Sequence, residues 1–195
     1  PKGAIITHGN IIASVIGAAL ALPTGPEDEQ VCFLPLCHIL ERLLTVFLPI
    51  GMTSTVNFAE SPETVFDNIR EVSPHVFTAV PRVWEKVYSR VSIMASEATP
   101  LGRWAFAQAV KTGLKRVKAL DEGRSVPLGQ RLSYAFWNFV LLRNMRRMLG
   151  LDRLRRGGSG AAPISPDLLR WFRAIGVMVL EGYGMTESSG VISVN

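Results

Sequence analysis

Short apolar runs alternating with helical patterns predict an α/β fold: a mainly parallel sheet with helices on both faces, held in one partial domain over residues 1–195. Three observations carry that reading. Runs such as "EQVCFLPL" (29–36), "TSTVNFA" (53–59) and "HVFTAV" (75–80) have strand composition. Each is followed by a helical pattern long enough for a crossover between parallel strands. The chain is 195 residues long and 48% apolar, enough for a sizeable core.

The elements follow in order. The most apolar stretch, "IIASVIGAALAL" (11–22), is shorter than the roughly 20 residues a bilayer span needs. It also carries a serine and a glycine and stops at Pro23, so it is expected to be a buried helix. The strand at 29–36 gives way to an apolar helix at 38–50, and the strand at 53–59 to a helix beginning "SPETVFDNIREV". There Ser61 is the expected N-cap, with Pro62 at the first helical position. Val65, Phe66, Ile69 and Val72 recur at helical spacing and predict one buried face. After the strand at 75–80, Pro81 opens the helix "PRVWEKVYSRVSIMASEA". Residues 101–149 read as a helical insertion broken near "EGRSVPLG". A strand within "LDRLRRGGSG", a capped helix "SPDLLRWFRAIG" and a strand "VMVLEG" complete the pattern. No internal repeat or long linker divides it.

Composition narrows the function classes. The opening "PKGAIITHGN" has no initiator methionine and no signal-peptide order, so the chain reads as a piece of a longer protein. Cys32 and Cys37 lack metal-ligand spacing and are expected to be buried free thiols, placing the protein in the cytoplasm. Residues 103–156 hold 13 Lys/Arg against three acids, a local net of +10 within an overall +5. Such a block is either a solvated helical face or a surface for phosphates or an anionic membrane, where Arg143, Arg146, Arg147, Arg153, Arg155 and Arg156 would make peripheral contact. No RNA motif, zinc-finger spacing or helix-turn-helix signature accompanies it, which excludes nucleic acid as the expected partner.

In open α/β sheets ligands bind outside the carboxyl ends of the strands. Three segments therefore stand out: 35–38, 157–163 and 182–187. In "EGYGMTESSG" (181–190), Gly182 and Gly184 are expected to turn the chain sharply around Tyr183. Thr186 is expected at the start of a new helix, a ready phosphate site, with Glu187 beside it as a hard oxygen ligand for Mg²⁺. A plain strand-to-helix turn with a threonine cap fits the same residues. The small residues of "GGSGAAPIS" (157–165) leave room for something flat against the backbone. Lys2 in "PKG" is either a surface lysine or the tail of a phosphate loop, and His38 in "LPLCH" either a cap or a site residue.

Together, "PKG", "LPLCHILER", "SGAAPIS" and "GYGMTE", in that order, resemble the adenylate-forming enzymes: acyl-CoA synthetases, luciferases and peptide-synthetase adenylation domains. "VFTAVPRVWEKVY" (76–88) and the helical insertion resemble long-chain fatty acid–CoA ligases within that superfamily. The resemblance covers essentially the whole chain and implies the central part of the large domain. It implies a two-step reaction: a long-chain fatty acid and ATP give acyl-adenylate and pyrophosphate, then the thiol of coenzyme A displaces AMP. Carried over to this sequence, Lys2 belongs to the phosphate loop, Thr186 contacts phosphate and Glu187 holds Mg²⁺. Gly160, Ala161 and Ala162 line one side of adenine, with Gly182, Tyr183, Gly184 and Met185 on the other, and His38 stands between nucleotide and acyl tunnel. The Ser/Thr/Gly half of the phosphate loop, the ribose-binding aspartate and the C-terminal domain with its catalytic lysine are missing, so the isolated chain is expected to make no acyl-CoA.

Overall fold

The computed structural model describes residues 3–21 and 23–195; Lys2, and Leu22 at the end of the first predicted helix, lie outside the described residues. Six strands form one sheet: β1 (Glu29–Cys32), β2 (Thr55–Phe58), β3 (Val76–Ala79), β4 (Arg156–Ser159), β5 (Val179–Met185) and β6 (Gly190–Val194). Their order is β2-β1-β3-β4-β5-β6, parallel throughout except for the antiparallel pair β5–β6. The predicted α/β architecture therefore holds. The strands are shorter than the apolar runs that signalled them: pairing stops at Cys32, and only the last four residues before Gly160 are strand in "LDRLRRGGSG".

Packing divides the sheet into two unlike faces. On one, Phe77 and Ala79 of β3 and Val179 of β5 join α4 (Val65–Val72), α5 (Pro81–Glu97), α6 (Pro100–Asp121) and α9 (Pro166–Ala174) in the larger core. Trp84 of α5 is its centre, fully buried between Phe77 and Phe172, with ring centroids 5.5 and 5.2 Å away in edge-to-face contact. Its indole N–H donates to the carbonyl of Gly158 at 3.0 Å, so the one polar atom it buries is satisfied. Gly157 lies under the same ring: a Cβ there would stand 2.8 Å from Trp84 Cη2.

The other face carries a smaller core of Ala18, Leu43, Leu44 and Leu48. It is built by α1 (His8–Ala21), α2 (Ile39–Arg42), a π-helical turn at Leu43–Phe47 and α3 (Leu48–Met52). The expectation of a buried first helix is corrected here. Only Ala18 of α1 is buried, while Ile12, Ile16 and Leu20 are exposed, because one face of the helix packs on α3, the π turn and β6 and the other meets no described element.

Local chemistry explains the other departures. Helix α4 starts at Val65, behind Thr64 and not at Ser61 and Pro62. Ser61 and Thr64 instead tie a turn, with Ser61 N donating to Thr64 Oγ1 at 3.1 Å and Thr64 Oγ1 donating to Ser61 O at 3.0 Å. Ser165 does precede α9, as expected, with Pro166 at its first position, but its side chain makes no capping hydrogen bond. The insertion is helical: α6, then α7 (Leu128–Trp137), a π turn at Asn138–Leu142 and α8 (Arg143–Met148), broken at residues 122–127. Helix α6 closes on α9 at Gly113, where a side chain would strike the backbone of Ala174.

Candidate functional site

The carboxyl ends of β3, β4 and β5 open into a cleft of about 210 Å³ beneath α1 and α2. The predicted segments converge on it. Gly160 and Ala161 line it from the end of β4, and Gly182, Tyr183, Gly184, Met185 and Thr186 from the end of β5. His38, Ile39 and Leu40 line it from the start of α2. Ala162 follows at the rim, exposed, and Glu187 is exposed next to Thr186. Lys2 lies outside the described residues. Ala18, Ala21, Leu44, Leu180, Val191 and Val194 make the rest of the lining largely apolar.

Small residues create this space in two different ways. Ala161 holds φ 68°, the left-handed region that costs a residue with a Cβ about 1 kcal/mol or more, and turns the chain away from β4 towards Pro163. Gly184 is needed for close approach: any side chain would collide with the carbonyl of Gly190 on β6. The expected sharp turn around Tyr183 is thus corrected. Residues 182–185 continue β5 as extended strand, with only a register shift between Tyr183 and Gly184, and the ring of Tyr183 is 60% exposed along the cleft.

The expected new helix at Thr186 is corrected as well. Thr186–Ser188 forms a single 3-10 turn, Ser189 takes φ 64°, and the chain returns as β6. Ser188 makes this possible: its Oγ accepts from Met185 N at 3.3 Å and lies 2.9 Å from the carbonyl oxygens of Met185 and Gly190. A phosphate group would therefore meet the Thr186 hydroxyl and one turn of backbone, without the dipole of a full helix. Among the described residues neither Thr186 Oγ1 nor the Glu187 carboxylate has a side-chain partner.

His38 is a cap and a cleft residue at once. Its Nδ1 accepts from Leu40 N at 3.2 Å, so the neutral ring carries its proton on Nε2. Behind it sits a polar layer that the sequence pattern did not reveal. Glu41 is 3% exposed and its Oε1 accepts from Thr45 Oγ1 at 3.0 Å, while Gln30 Nε2 donates to Leu44 O at 2.6 Å. Burial, and then the hydrogen bond to Glu41, push the Cys32 thiol from its ordinary 9.0 up to about 11. Cys32 is buried as expected; Cys37 is exposed, which corrects the reading of two buried thiols.

Glu181 was also overlooked. Its Oε1 accepts from Ile164 N at 3.1 Å and so ties "SGAAPIS" to "GYGMTE". The only signal was its place at the head of the second motif. Two buried hydroxyls complete the cleft: Thr78 Oγ1 and Ser159 Oγ, both on lining residues, have no hydrogen-bond partner among the described residues. Orphaned hydroxyls at a cleft of small residues fit a polar ligand, since burying such a group unpaired costs about 1–3 kcal/mol. No group of three or more metal-ligating side chains occurs among the described residues.

Five of the six arginines expected to face a membrane are held by partners within the chain. Arg146 donates to Ile175 O at 2.6 Å, and burial lowers its pKa from the ordinary value. Arg156 donates to Ala21 O at 2.6 Å, Arg153 pairs with Glu29 at 2.8 Å, Arg155 pairs with Asp28, and Arg147 lies 3.7 Å from Asp152. Of the six arginines expected to face a membrane, Arg143 alone has no such partner among the described residues. No described helix is long and apolar enough to cross a membrane.

The fold is that of solved adenylate-forming enzymes. The adenylation domain of a carboxylate reductase from Mycobacterium chelonae superposes with a TM-score of 0.68 at 23% identity, over 100% of this chain and 26% of that one. A long-chain-fatty-acid-CoA ligase from Archaeoglobus fulgidus gives 0.59 at 18% identity, over 100% and 31%. In sequence the chain is 33% identical to the long-chain-fatty-acid–CoA ligase ACSBG2 of Gallus gallus, over 97% of this chain and 25% of that protein. It is 32% identical to the peroxisomal long chain acyl-CoA synthetase 7 of Arabidopsis thaliana, over 99% and 26%. The chain thus spans about a quarter of the length of these relatives. Residues 1–195 match the family model described as AMP-binding enzyme, and with its two glycine-lined motifs meeting at one cleft, the chain belongs to that family.

Proposed function

We propose that this chain is the central part of the large domain of a long-chain fatty acid–CoA ligase, which activates a fatty acid with ATP and passes the acyl group to coenzyme A. The observation that carries the reading is the cleft itself: two small-residue motifs at the strand ends meet there and share the lining with apolar side chains. The relatives named as fatty acid–CoA ligases support the choice of acid. Gly160, Ala161 and Ala162 would flank one side of adenine, and Gly182, Tyr183, Gly184 and Met185 the other. Thr186 would donate to phosphate, and His38, with its Nε2 proton free, would stand at the junction of nucleotide and acyl chain.

Glu187 would hold Mg²⁺, which when bound neutralises charge on the phosphates. The carboxylate of the acid then attacks the α-phosphorus, pyrophosphate leaves, and the thiol of coenzyme A displaces AMP from the acyl-adenylate. The chain's own part is to orient the phosphates at Thr186 and to exclude water from the acyl end with Leu44, Leu180 and Val191. Lys2 would close the phosphate loop from a preceding segment. A substrate that partitions into lipid makes peripheral contact with an anionic membrane part of the same reading.

The test is pyrophosphate release by the full-length parent protein with ATP, Mg²⁺ and acids from acetate to palmitate. Release peaking with long chains and falling about 100-fold or more in Glu187→Ala is expected. Release with short or aromatic acids only would keep an adenylating enzyme and remove the long-chain assignment. No release with any acid would leave a nucleotide- or lipid-binding module. The isolated 195 residues are expected to form no acyl-CoA, and turnover by them would overturn the partial-domain assignment.

A further inference from the structure

Strand ends wall most of the cleft, but one side of it is a helix wound out of the ordinary register. Leu40 of α2 and Leu44 of the π turn at Leu43–Phe47 line the cleft, while Leu43 and Leu48 are fully buried in the smaller core. Leu43 lies against Gly190 of β6, where a Cβ would stand 2.9 Å from its Cδ2. Single π turns inside helices are rare and concentrate at functional sites.

The backbone of this turn cannot satisfy itself. In an α-helix the Leu44 carbonyl would accept from Leu48 N, but that N–H goes to Leu43 O. In the π register the donor stands five residues on, and there the chain has Pro49, which carries no N–H. The helix therefore leaves a buried carbonyl without a partner, and β1 supplies one: Gln30 Nε2 donates to Leu44 O at 2.6 Å. Gln30 is 8% exposed, and its neighbour Val31 joins the larger core, so strand alternation turns Gln30 to the opposite face, under the π turn. The second π turn, Asn138–Leu142, makes the contrast. It has Asn144 where this one has Pro49, and no side chain donates to its Phe139 carbonyl among the described residues.

We infer that Gln30 is a positioning residue for the wall that binds the acid: by taking Leu44 O it holds residues 43–47 in the π register and keeps Leu40 and Leu44 turned into the cleft. Without that donor, Leu48 N would pass to Leu44 O and the turn would close as α-helix. Losing the extra residue rotates one flank of the turn against the other by about 100°. Leu48 is locked in the smaller core and cannot follow, so Leu40 and Leu44 leave the cleft. That an acid occupies this wall rests on the ligase reading; the register of the turn does not.

The experiment is calorimetric binding of palmitate and of AMP to the full-length parent protein and to three variants: Gln30→Leu, Pro49→Ala and the two combined. Gln30→Leu should weaken palmitate about tenfold and change AMP by no more than about twofold, since the nucleotide motifs lie on other elements. Pro49→Ala restores a backbone donor for Leu44 O in the π register. Alone it should leave both affinities near those of the parent, and in the double variant it should bring palmitate binding back. A side chain that merely fills space would not be rescued by a new N–H at residue 49. A crystal structure of Gln30→Leu should show Leu48 N bonded to Leu44 O. Unchanged palmitate affinity in Gln30→Leu, equal loss of both ligands, no rescue in the double variant, or a π turn intact in that structure would each overturn the inference. A parent protein that binds no palmitate would remove the acid and with it the ligase assignment, while the structure of Gln30→Leu still decides whether Gln30 sets the register of the wall.

Discussion

The two faces of the sheet meet at neighbouring residues of one strand, and they differ in kind. Gly157 faces the large core, where Trp84 fills the space a side chain would need; Gly158 faces the cleft, where Thr78 does so 2.7 Å away. Trp84 is closed in by Phe77 and Phe172 and cannot yield. Thr78 borders open space and carries an orphaned hydroxyl. One face is thus built for packing and the other for accommodating something else. Small residues serve both, by letting an aromatic ring in on one side and by leaving room for a ligand on the other.

Breaking the packed face should have the largest effect. Trp84→Ala removes a fully buried indole with its hydrogen bond and should cost about 3–5 kcal/mol, read as loss of the thermal midpoint of the parent protein. Gly157→Ala should cost about 1–3 kcal/mol, because neither the ring nor the strand can move aside. Gly158→Ala sharpens the contrast: stability should drop by only about 1 kcal/mol as Thr78 swings into the cleft, while AMP affinity measured by calorimetry falls with the lost space. Equal stability losses at 157 and 158 would erase the distinction between the faces.

Thr78→Val should move two readouts in opposite directions. Removing an unpaired buried hydroxyl should stabilise the fold by up to about 1 kcal/mol, read as a higher thermal midpoint, and lower nucleotide or acid affinity about three- to tenfold. A gain in stability with unchanged affinity for AMP and for palmitate would mean the hydroxyl meets no ligand. The smallest effect is at the cysteines. Cys37 should react with a thiol reagent in the native protein at pH 8 while Cys32 stays protected. Because the folded state raises the Cys32 pKa, unfolded chains ionise first. Its contribution is intact below pH 9.0 and lost as pH climbs to about 11, which a Cys32→Ala variant should abolish.

Where periodicity was strong, local reading and structure agree: the helix from Pro81, the insertion around 101–149 and the three strands at 29–32, 55–58 and 76–79 lie where their patterns put them. It failed where a single side chain redirected the backbone. Thr64 moved a helix start by tying back to Ser61, and Ser188 turned an expected helix into one 3-10 turn before β6. The site was legible as three segments because ligands gather at strand ends. Glu181, Glu41 and the two orphaned hydroxyls were not, since each acts through a partner 4 to 17 residues away or through the lack of one.

The order of apolar runs, the glycine-rich motifs and the excess of basic residues are properties of the string, and they determined the fold class, the family and the candidate cleft residues. Tertiary structure alone decided which cations are free. The arginines of 146–156 and the lysines of α6 look alike as letters, yet the former point at carbonyls and carboxylates that folding brings from as far as residue 21, and the latter at solvent. It alone decided, too, that an apolar first helix lies mostly exposed and that a glycine between two strands is there for contact. Burial and pairing depend on what the chain packs against, and a local pattern carries no record of its neighbours in space.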